Sequence, residues 1–369
     1  MRVQGADLRT IRLAASGDAV EIIDQTRLPY ELAIVPLRTL ADVARAIREM
    51  WVRGAPLIGA AAAYGLALAV REDPSPAAID RACAALKETR PTAVNLAWAL
   101  ADVRGRILAL PERERAAAAF ARAGEICDDD VATCRAIGQH GVRLVREAWE
   151  KAGRRSPVRV LTHCNAGWLA TVDWGTALSV VYAAHRAGIP VHVWVDETRP
   201  RSQGLLTAWE LGEEGVPYTL VADNEGGHLM QRGLVDLCFV GTDRTTARGD
   251  VCNKIGTYLK ALAAHDNGVP FCVAAPHSSI DWSIDDGIKE IPIEERDASE
   301  VLRIRGRAAD GSIGAIEIGP PGARARNDAF DVTPARLVTW IVTERGVCRA
   351  SREGLAALYP DRARAGAAP

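Results

Sequence analysis

Cys164 is a candidate catalytic residue because of its surroundings in the sequence. It lies between His163 and Asn165, directly after the apolar segment 158–162. A cysteine at a turn from a strand to a helix can lie near free backbone N–H groups, which favour its thiolate form. The alternative is a small buried residue at a crowded turn. If the strand continues, His163 points away from Cys164, so we expect it to make a structural hydrogen bond.

Asp243 is the second candidate catalytic residue. It follows the segment 237–241, the most apolar stretch of this part of the chain. Burial beside apolar groups raises the pKa of a carboxyl group, so Asp243 could act as a general acid at neutral pH. The alternative is a helix N-cap or an ion-pair partner of Arg244 or Arg248.

Three further places in the sequence could bind an anion or a sugar. Arg53 and Gly54 precede a predicted helix with Pro56 near its first turn. A guanidinium beside exposed backbone amides binds anions, although a plain turn between helices is the alternative. Arg90, before a proline, has weaker local support. Gln203, before a glycine, could bond a sugar hydroxyl.

Lys254 stands out because only five of the 45 basic residues are lysines. The turn formed by Gly249 and Asp250 predicts the start of a helix, with Lys254 in its first turn. A positive charge at that position opposes the helix dipole, so a bound anion would explain it. The alternative is an ordinary solvated lysine.

The sequence predicts two kinds of scaffold for these residues. Helical periodicity dominates up to about residue 155, after one or two short strands within 19–29. The predicted helices cover 39–50, 58–70, 77–89, 94–108 and 111–150. Beyond residue 155, apolar runs alternate with helical stretches, which is typical of a parallel sheet covered on both faces. These runs are 158–162, 191–195, 218–222, 237–241 and 271–275. Such sheets bind ligands beyond the carboxyl ends of their strands, where Cys164 and Asp243 lie.

This pattern predicts an α/β protein with two domains. Residues 1–154 would form a mainly helical N-terminal domain with a small sheet, residues 155–361 a Rossmann-like catalytic domain with a parallel sheet, and residues 362–369 a flexible tail.

The composition excludes several classes of protein. The 369 residues carry a formal net charge of −2, which argues against a general nucleic-acid binder. No apolar run reaches about 18 residues and no signal peptide is evident, so we expect a cytoplasmic protein without a membrane partner. The eight cysteines form neither a CxxC pair nor a zinc pattern. No glycine-rich nucleotide-binding motif is present.

Six strings together resemble the methylthioribose-1-phosphate isomerase family. They are RGAPLIGAAAAYG (53–65), THCNAGWLAT (162–171), VDETRPRSQG (195–204), LTAWEL (206–211), VGTDRT (240–245) and GDVCNKIGTY (249–258). The resemblance extends from about residue 24 to residue 350. That family is similar in fold to regulatory subunits of a eukaryotic translation-initiation exchange factor and to archaeal ribose-1,5-bisphosphate isomerases.

The resemblance implies an isomerase that converts 5-substituted ribose 1-phosphates to ribulose 1-phosphates. It implies a homodimer, and neither a cofactor nor a metal. The family's catalytic cysteine and aspartate fall on Cys164 and Asp243. Its substrate-binding positions fall on Arg53, Gly54, Ala55, Arg90, Gln203, Asn253 and Lys254.

The implied chemistry suits these residues. A sugar 1-phosphate is a locked ring, and a protonated Asp243 could open it by protonating the ring oxygen. Hydrogen then shifts from C2 to C1 by proton transfer or as hydride, with Cys164 exchanging a proton or stabilising charge. Arg53, Lys254 and backbone amides would hold the phosphate.

Three departures from familiar members leave the 5-substituent open. They are the threonines in VGTDRT, the cysteine Cys252 in GDVCNKIGTY and the tryptophan Trp168. The substituent could be methylthio, from methylthioadenosine in methionine salvage, or methyl, from 5'-deoxyadenosine, or the protein could accept both. One sulfur in an apolar pocket is worth only about 1–3 kcal/mol. Two other functions stay open, namely a non-catalytic regulatory subunit and a ribose-1,5-bisphosphate isomerase with a second cationic pocket.

Overall fold

The computed structural model describes residues 1–3 and 5–365. The N-terminal part begins with two small antiparallel sheets. One pairs β1 (Arg2–Val3) with β2 (Ala6–Asp7), and the other contains β3 (Ile11–Leu13), β4 (Val20–Ile23) and β5 (Ile34–Leu37). Five helices follow, namely α1 (Leu40–Arg48), α2 (Ala55–Glu72), α3 (Pro76–Lys87), α4 (Val94–Leu108) and α5 (Glu112–Lys151). They match the five predicted helices to within three residues at each end.

Helix α2 is the central element of the helical part and packs against α1, α3, α4 and α5. Alanine and glycine on all its sides let the neighbouring helices approach closely, and a Cβ at Gly65 would lie 2.8 Å from Cγ1 of Val43. The helix begins at Ala55, earlier than the predicted residue 58, because Pro56 suits a first helical turn. The N-terminus of α2 is therefore next to Arg53 and Gly54.

The second part alternates strands and helices. In chain order it contains β6 (Val158–Thr162), α6 (Ala177–Arg186), β7 (Val191–Asp196), α7 (Gly204–Glu213), β8 (Tyr218–Val221), α8 (Glu225–Gln231), β9 (Leu237–Val240), β10 (Arg244–Thr246), β11 (Val251–Lys254), α9 (Thr257–Asp266), β12 (Phe271–Ala274), β13 (Ile280–Asp281), α10 (Gly287–Glu290), α11 (Ser299–Leu302), β14 (Arg303–Arg307), β15 (Ile313–Glu317), β16 (Phe330–Thr333), β17 (Trp340–Thr343), β18 (Gly346–Cys348), α12 (Arg352–Leu358) and α13 (Pro360–Ala365).

Seven strands form one sheet in the order β18-β17-β12-β9-β6-β7-β8, parallel except for β18. Apolar clusters cover both faces. Along β9, Leu237 and Phe239 join one cluster and Cys238 and Val240 the other, as the two-residue period of a strand requires. This confirms the α/β fold class with a helical N-terminal part and a parallel sheet. A third cluster fills the helical part.

The strand order changes direction between β6 and β9. The chain runs from β6 to β7 and β8 on one side, and then from β9 to β12 and β17 on the other. Loops leave such a switch point in opposite directions and open a crevice at the carboxyl ends of the strands. Cys164 follows β6 and Asp243 follows β9, so the crevice lies between them.

The predicted helix near Lys254 is wrong. Val251–Lys254 forms strand β11, which pairs antiparallel with both β10 and β16, and helix α9 begins only at Thr257. Gly256 has a φ of 102° and separates the strand from the helix. The helix dipole therefore does not explain Lys254.

Other features bear on the predicted boundaries. Helix α5 packs against both α2 and α6, and the division after residue 154 stays a prediction. Helix α13 includes residues 362–365 of the predicted tail, while residues 366–369 lie outside the described residues. Within the described part of the chain, no helix has the length and apolar character needed to cross a membrane.

Candidate active site

One cavity at the switch point brings all nine predicted site residues together. Counting its open mouth it encloses ≈ 770 Å³. Its walls include the predicted catalytic residues Cys164 and Asp243 and the predicted substrate-binding residues Arg53, Gly54, Ala55, Arg90, Gln203, Asn253 and Lys254.

Cys164 is half-buried at the end of β6, in the left-handed backbone region with a φ of 66°. Its N–H donates to Oγ1 of Thr198 at 2.8 Å, and its carbonyl accepts from Oγ1 of Thr207 at 2.8 Å. Burial raises the pKa of the thiol, while Arg53 and Lys254 act in the opposite direction. The thiol is thus largely shielded from water, with two cations nearby that can stabilise its thiolate.

Asp243 is held in place by its backbone, whose N–H donates to the carbonyl of Cys252 at 3.0 Å. Its carboxyl group makes no hydrogen bond or ion pair with any described residue. Arg244 lies 3.7 Å from Asp281 and Arg248 3.5 Å from Asp285, so the alternative ion pairs are absent. Burial raises the pKa of Asp243, which favours the protonated form that a general acid needs.

Arg53 reaches the cavity from the chain just before α2. Its Nη1 donates to Oδ1 of Asn165 at 2.6 Å and its Nη2 to the carbonyl of Asn165 at 2.7 Å. The same Nη2 lies 3.9 Å from Sγ of Cys164. Gly54 has a φ of 90°, and a Cβ there would lie 2.4 Å from the carbonyl oxygen of Ala170. Only glycine allows the N-terminus of α2 to approach the cavity this closely.

Lys254 is a buried cation at the end of β11, with 6% of its surface exposed. Burial lowers the pKa of its ammonium group, and Cys164 and Asp243 counteract that effect. Lys254 forms no ion pair with any described residue, and its Nζ lies 5.3 Å from the ring centre of Phe330. Because an unpaired buried cation is costly, this environment suits a bound anion. Its neighbour Asn253 donates from Nδ2 to Oγ1 of Thr257 at 3.0 Å.

Gln203 and Arg90 line the cavity with polar atoms that lack partners. Gln203 is the N-cap residue of α7, and its Oε1 is buried without a hydrogen bond to the described residues. Nε of Arg90 is also buried without a hydrogen bond to the described residues, while its Nη2 donates to Glu294 at 3.0 Å. A sugar hydroxyl would satisfy Oε1 of Gln203 by donating to it.

Two cavity arginines were not predicted from the sequence. Arg201 and Arg296 both line the cavity, and both bind Glu300, at 2.6 and 2.7 Å. Arg201 lies within the resembling string 195–204, where nothing distinguished it from other loop residues. Arg296 lies in a stretch of mixed charge that reads as ordinary surface.

His163 makes the structural hydrogen bonds expected of it. Its Nδ1 lies 2.8 Å from Asp196, and its Nε2 lies 2.8 Å from the carbonyl of Ile255. Within the described residues, the ligand atoms of His163, Asp196 and Asp223 are close enough to hold a metal ion. However, Lys260 already lies 2.9 Å from Asp196, and backbone N–H groups donate to Asp223. His163, Asp196 and Asp223 therefore already have hydrogen-bond or ion-pair partners, which suits a structural network next to Cys164.

Comparison with known proteins agrees with the fold. The model of the initiation factor 2 subunit family matches residues 51–350. A methylthioribose-1-phosphate isomerase of Methylorubrum populi is 61% identical over 366 residues, which cover 99% of this chain and 100% of that protein. One from Rhodospirillum rubrum is 61% identical over 369 residues, covering 98% of this chain and 94% of that protein.

Two solved structures are similar as well. A 5-methylthioribose 1-phosphate isomerase from Pyrococcus horikoshii OT3 superposes with a TM-score of 0.81 at 38% identity, covering 98% of this chain and 100% of that one. The delta subunit of translation initiation factor eIF-2B from A. fulgidus gives 0.78 at 37%, covering 96% and 100%. The chain therefore belongs to the methylthioribose-1-phosphate isomerase family of aldose–ketose isomerases, within the wider initiation factor 2 subunit family.

Proposed function

We propose that the chain converts 5-methylthioribose 1-phosphate to 5-methylthioribulose 1-phosphate in the salvage of methylthioadenosine. One observation carries the proposal. Cys164 and Asp243 follow the ends of neighbouring strands and line a single cavity, which also contains the buried Lys254, a residue without an ion pair among the described residues. The name of the relatives that are 61% identical over nearly the whole chain supports the same substrate.

The phosphate lies between the cations and the start of α2. Arg53 and Lys254 supply positive charge, and the N–H of Ala55 is one of the first amides of a helix, which have no acceptor within it. Holding the phosphate fixes C1 and the ring oxygen relative to the catalytic side chains.

Asp243 opens the ring. The phosphate on the C1 oxygen prevents the free aldehyde from forming, so the bond between C1 and the ring oxygen must break under acid catalysis. A protonated Asp243 gives its proton to the ring oxygen, which takes the bonding electron pair and becomes the C4 hydroxyl. C1 is left as an oxocarbenium carbon, and the carboxylate of Asp243 is stabilised by Lys254 and Arg90.

Hydrogen then moves from C2 to C1, and the C2 hydroxyl becomes the ketone as it gives its proton to the carboxylate of Asp243, which restores the acid. In the proton-transfer route, the thiolate of Cys164 removes the C2 proton to give an enol and returns a proton to C1. In the hydride route, hydrogen moves directly with its electron pair while Cys164 stabilises the charge. Turnover in D₂O separates them, because only proton transfer places solvent deuterium at C1.

A side pocket beside Asp243 suits the 5-substituent. C5 is two bonds from the ring oxygen, so it lies next to the acid that protonates that oxygen. The pocket is mostly apolar, with walls that include Ile58, Val94, Cys252, Ile291 and Phe330. Arg90 and Arg244 also reach it, but Arg90 binds Glu294 and Arg244 binds the carbonyl of Thr92. These surroundings favour methylthio over a charged 5-phosphate.

Kinetic comparison of three substrates tests the proposal. We expect turnover without an added cofactor, with methylthioribose 1-phosphate preferred over 5-deoxyribose 1-phosphate by roughly tenfold or more. Ribose 1,5-bisphosphate should react slowest, since Arg201 and Arg296 are already paired with Glu300. A preference for the bisphosphate would overturn the assignment. Failure to turn over any of the three, with stable capture by a larger complex, would favour a regulatory subunit.

The family resemblance supports a homodimer. Sedimentation equilibrium of the purified chain tests this, with twice the monomer mass of 39.5 kDa as the expected result.

A further inference from the structure

Glu210 is a fully buried carboxylate of helix α7 with no cationic partner among the described residues. It accepts four hydrogen bonds, from Nδ2 of Asn165 at 2.9 Å, the N–H of Trp168 at 2.9 Å, the N–H of Leu169 at 2.9 Å and the hydroxyl of Tyr182 at 2.8 Å. A carboxylate buried without a cation is costly unless every acceptor is used. The reaction steps above do not involve Glu210, so its presence needs another explanation.

Asn165 connects Glu210 to Arg53. Its amide nitrogen donates to Oε1 of Glu210, and its amide oxygen accepts from Nη1 of Arg53 at 2.6 Å. The amide group thus lies between an acidic and a basic side chain, and both its ends are fixed. Beyond it, Nη2 of Arg53 lies 3.9 Å from Sγ of Cys164. Direct contacts therefore link Glu210 on α7 through Asn165 and Arg53 to Sγ of Cys164.

The loop after Cys164 is fitted around this carboxylate. A Cβ at Gly167 would lie 1.8 Å from Oε2 of Glu210, so only glycine lets the chain close over it. The two backbone donors, Trp168 and Leu169, begin a 3-10 turn whose free N–H groups favour an anion. The loop thereby fixes both carboxylate oxygens of Glu210, since Leu169 donates to Oε1 and Trp168 to Oε2.

We propose that Glu210 is a positioning residue of the isomerase site, which acts through Asn165 to hold the guanidinium of Arg53 against the thiol of Cys164. The effect on turnover rests on the proposed function, whereas the effect on the thiol does not. Burial raises the pKa of Glu210 to about 7, so it carries a partial negative charge near neutral pH and complements Arg53.

Glu210→Gln is the direct test because it keeps the size of the side chain. Whichever way the amide turns, its NH₂ group faces at least one N–H donor, of Trp168, Leu169 or Asn165. Tyr182→Phe is the matched control, since it removes one donor to the same carboxylate and leaves Asn165 untouched. Asn165→Ala breaks the connection at its middle, and the double variant with Glu210→Gln completes a thermodynamic cycle.

The readout is the pH dependence of Cys164 alkylation by iodoacetamide, followed by peptide mass spectrometry so that the other cysteines are counted separately. Glu210→Gln should slow alkylation of Cys164 at neutral pH by about tenfold, which corresponds to a shift of one pKa unit. With methylthioribose 1-phosphate, kcat should fall roughly 10- to 100-fold. Tyr182→Phe should do neither, and Glu210→Gln should add little in the Asn165→Ala background.

Three results would overturn the proposal. The first is an unchanged alkylation profile in Glu210→Gln, even if the thermal unfolding temperature falls, because that describes a merely structural residue. The second is an equal effect of Tyr182→Phe. The third is full additivity in the double variant. If the alkylation profile shifts as expected but the wild-type protein turns over no sugar phosphate, the positioning role stands and the proposed function fails.

Discussion

Arg90 and Glu294 form an ion pair of 3.0 Å across the cavity wall, although 204 residues separate them in the sequence. This pair is one of several linked ion pairs. Glu294 also binds Arg296 at 2.9 Å, Arg296 binds Glu300, and Glu300 binds Arg201. Segment 294–300 is therefore bound on one side to the loop before α4 and on the other to the loop before α7. Ion pairs, rather than apolar contacts, hold this segment in place as one wall of the site.

The stability of this wall should depend on pH through Glu300. Burial acts to raise the pKa of Glu300, but Arg296 and Arg201 outweigh it and lower the pKa to about 2. A carboxyl group with a lowered folded pKa stabilises the fold above its unfolded pKa of about 4.5, and that stability disappears as the pH falls toward 2. The difference corresponds to on the order of 3 kcal/mol.

Urea unfolding between pH 2 and pH 6 measures this effect. Glu300→Gln should flatten the dependence of the unfolding free energy on pH in the acid range. Glu317→Gln is the control, because Glu317 pairs with Arg303 in an exposed position and such pairs contribute little. Equal slopes for wild type and Glu300→Gln would contradict the prediction.

Cys164→Ser and Asp243→Asn should each abolish turnover and leave the fold intact. The first removes the thiol that exchanges a proton or stabilises charge, and the second removes the transferable proton. Because Asp243 acts as the acid and burial raises its pKa, the loss of its proton should make kcat fall as the pH rises through that pKa. Near-native rates in both variants, with an unchanged circular dichroism spectrum, would show that the catalytic assignment is wrong.

Lys254→Met should weaken substrate binding without lowering the stability of the fold. Loss of the phosphate contact should raise KM at least tenfold, an effect of about 1.4 kcal/mol or more. Removal of a buried ammonium group that has no ion pair in the described part of the chain should also make the protein as stable as the wild type or more so. Lys289→Met is the control, since Lys289 is 81% exposed and lies on α10. A loss of stability in Lys254→Met without a change in KM would contradict a substrate role.

Gly54→Ala should damage the site through the backbone. The residue has a φ of 90°, and its Cβ would collide with the backbone of Ala170, so we expect a loss of more than about 1 kcal/mol and a fall in kcat/KM. Gly105→Ala is the matched control. Gly105 lies inside α4 with open space around it, and its replacement should stabilise the protein by about 0.5–1 kcal/mol. Chemical denaturation of both variants checks the contrast.

Cys252→Leu should alter substrate preference by filling the side pocket next to Asp243. We expect kcat/KM for methylthioribose 1-phosphate to fall more than kcat/KM for 5-deoxyribose 1-phosphate, by roughly tenfold in their ratio. Cys252→Ala keeps the pocket open and serves as the control. An unchanged ratio in Cys252→Leu would mean that the 5-substituent lies elsewhere.

The sequence by itself predicted the fold class, which the structure confirms, and named nine candidate site residues, which line one cavity. Buried parallel strands and amphipathic helices have distinct periods, and they give the bounds of α4 and β6 to the residue. The short motifs around Cys164 and Asp243 identified the family. The local sequence pattern wrongly predicted a helix at Lys254. Strand β11 forms there through pairing with β10 and β16, and β16 lies about 80 residues further along the chain.

Tertiary structure alone decided which charges are free and which are neutralised. Arg201, Arg296 and Lys254 are all positively charged, yet the first two are paired with Glu300 and the third has no ion pair among the described residues. The same holds for Glu210, whose sequence position on an ordinary helix gives no hint of its burial. The pKa and the reach of a charged group depend on the atoms that surround it in space, and folding brings those atoms together from distant parts of the chain.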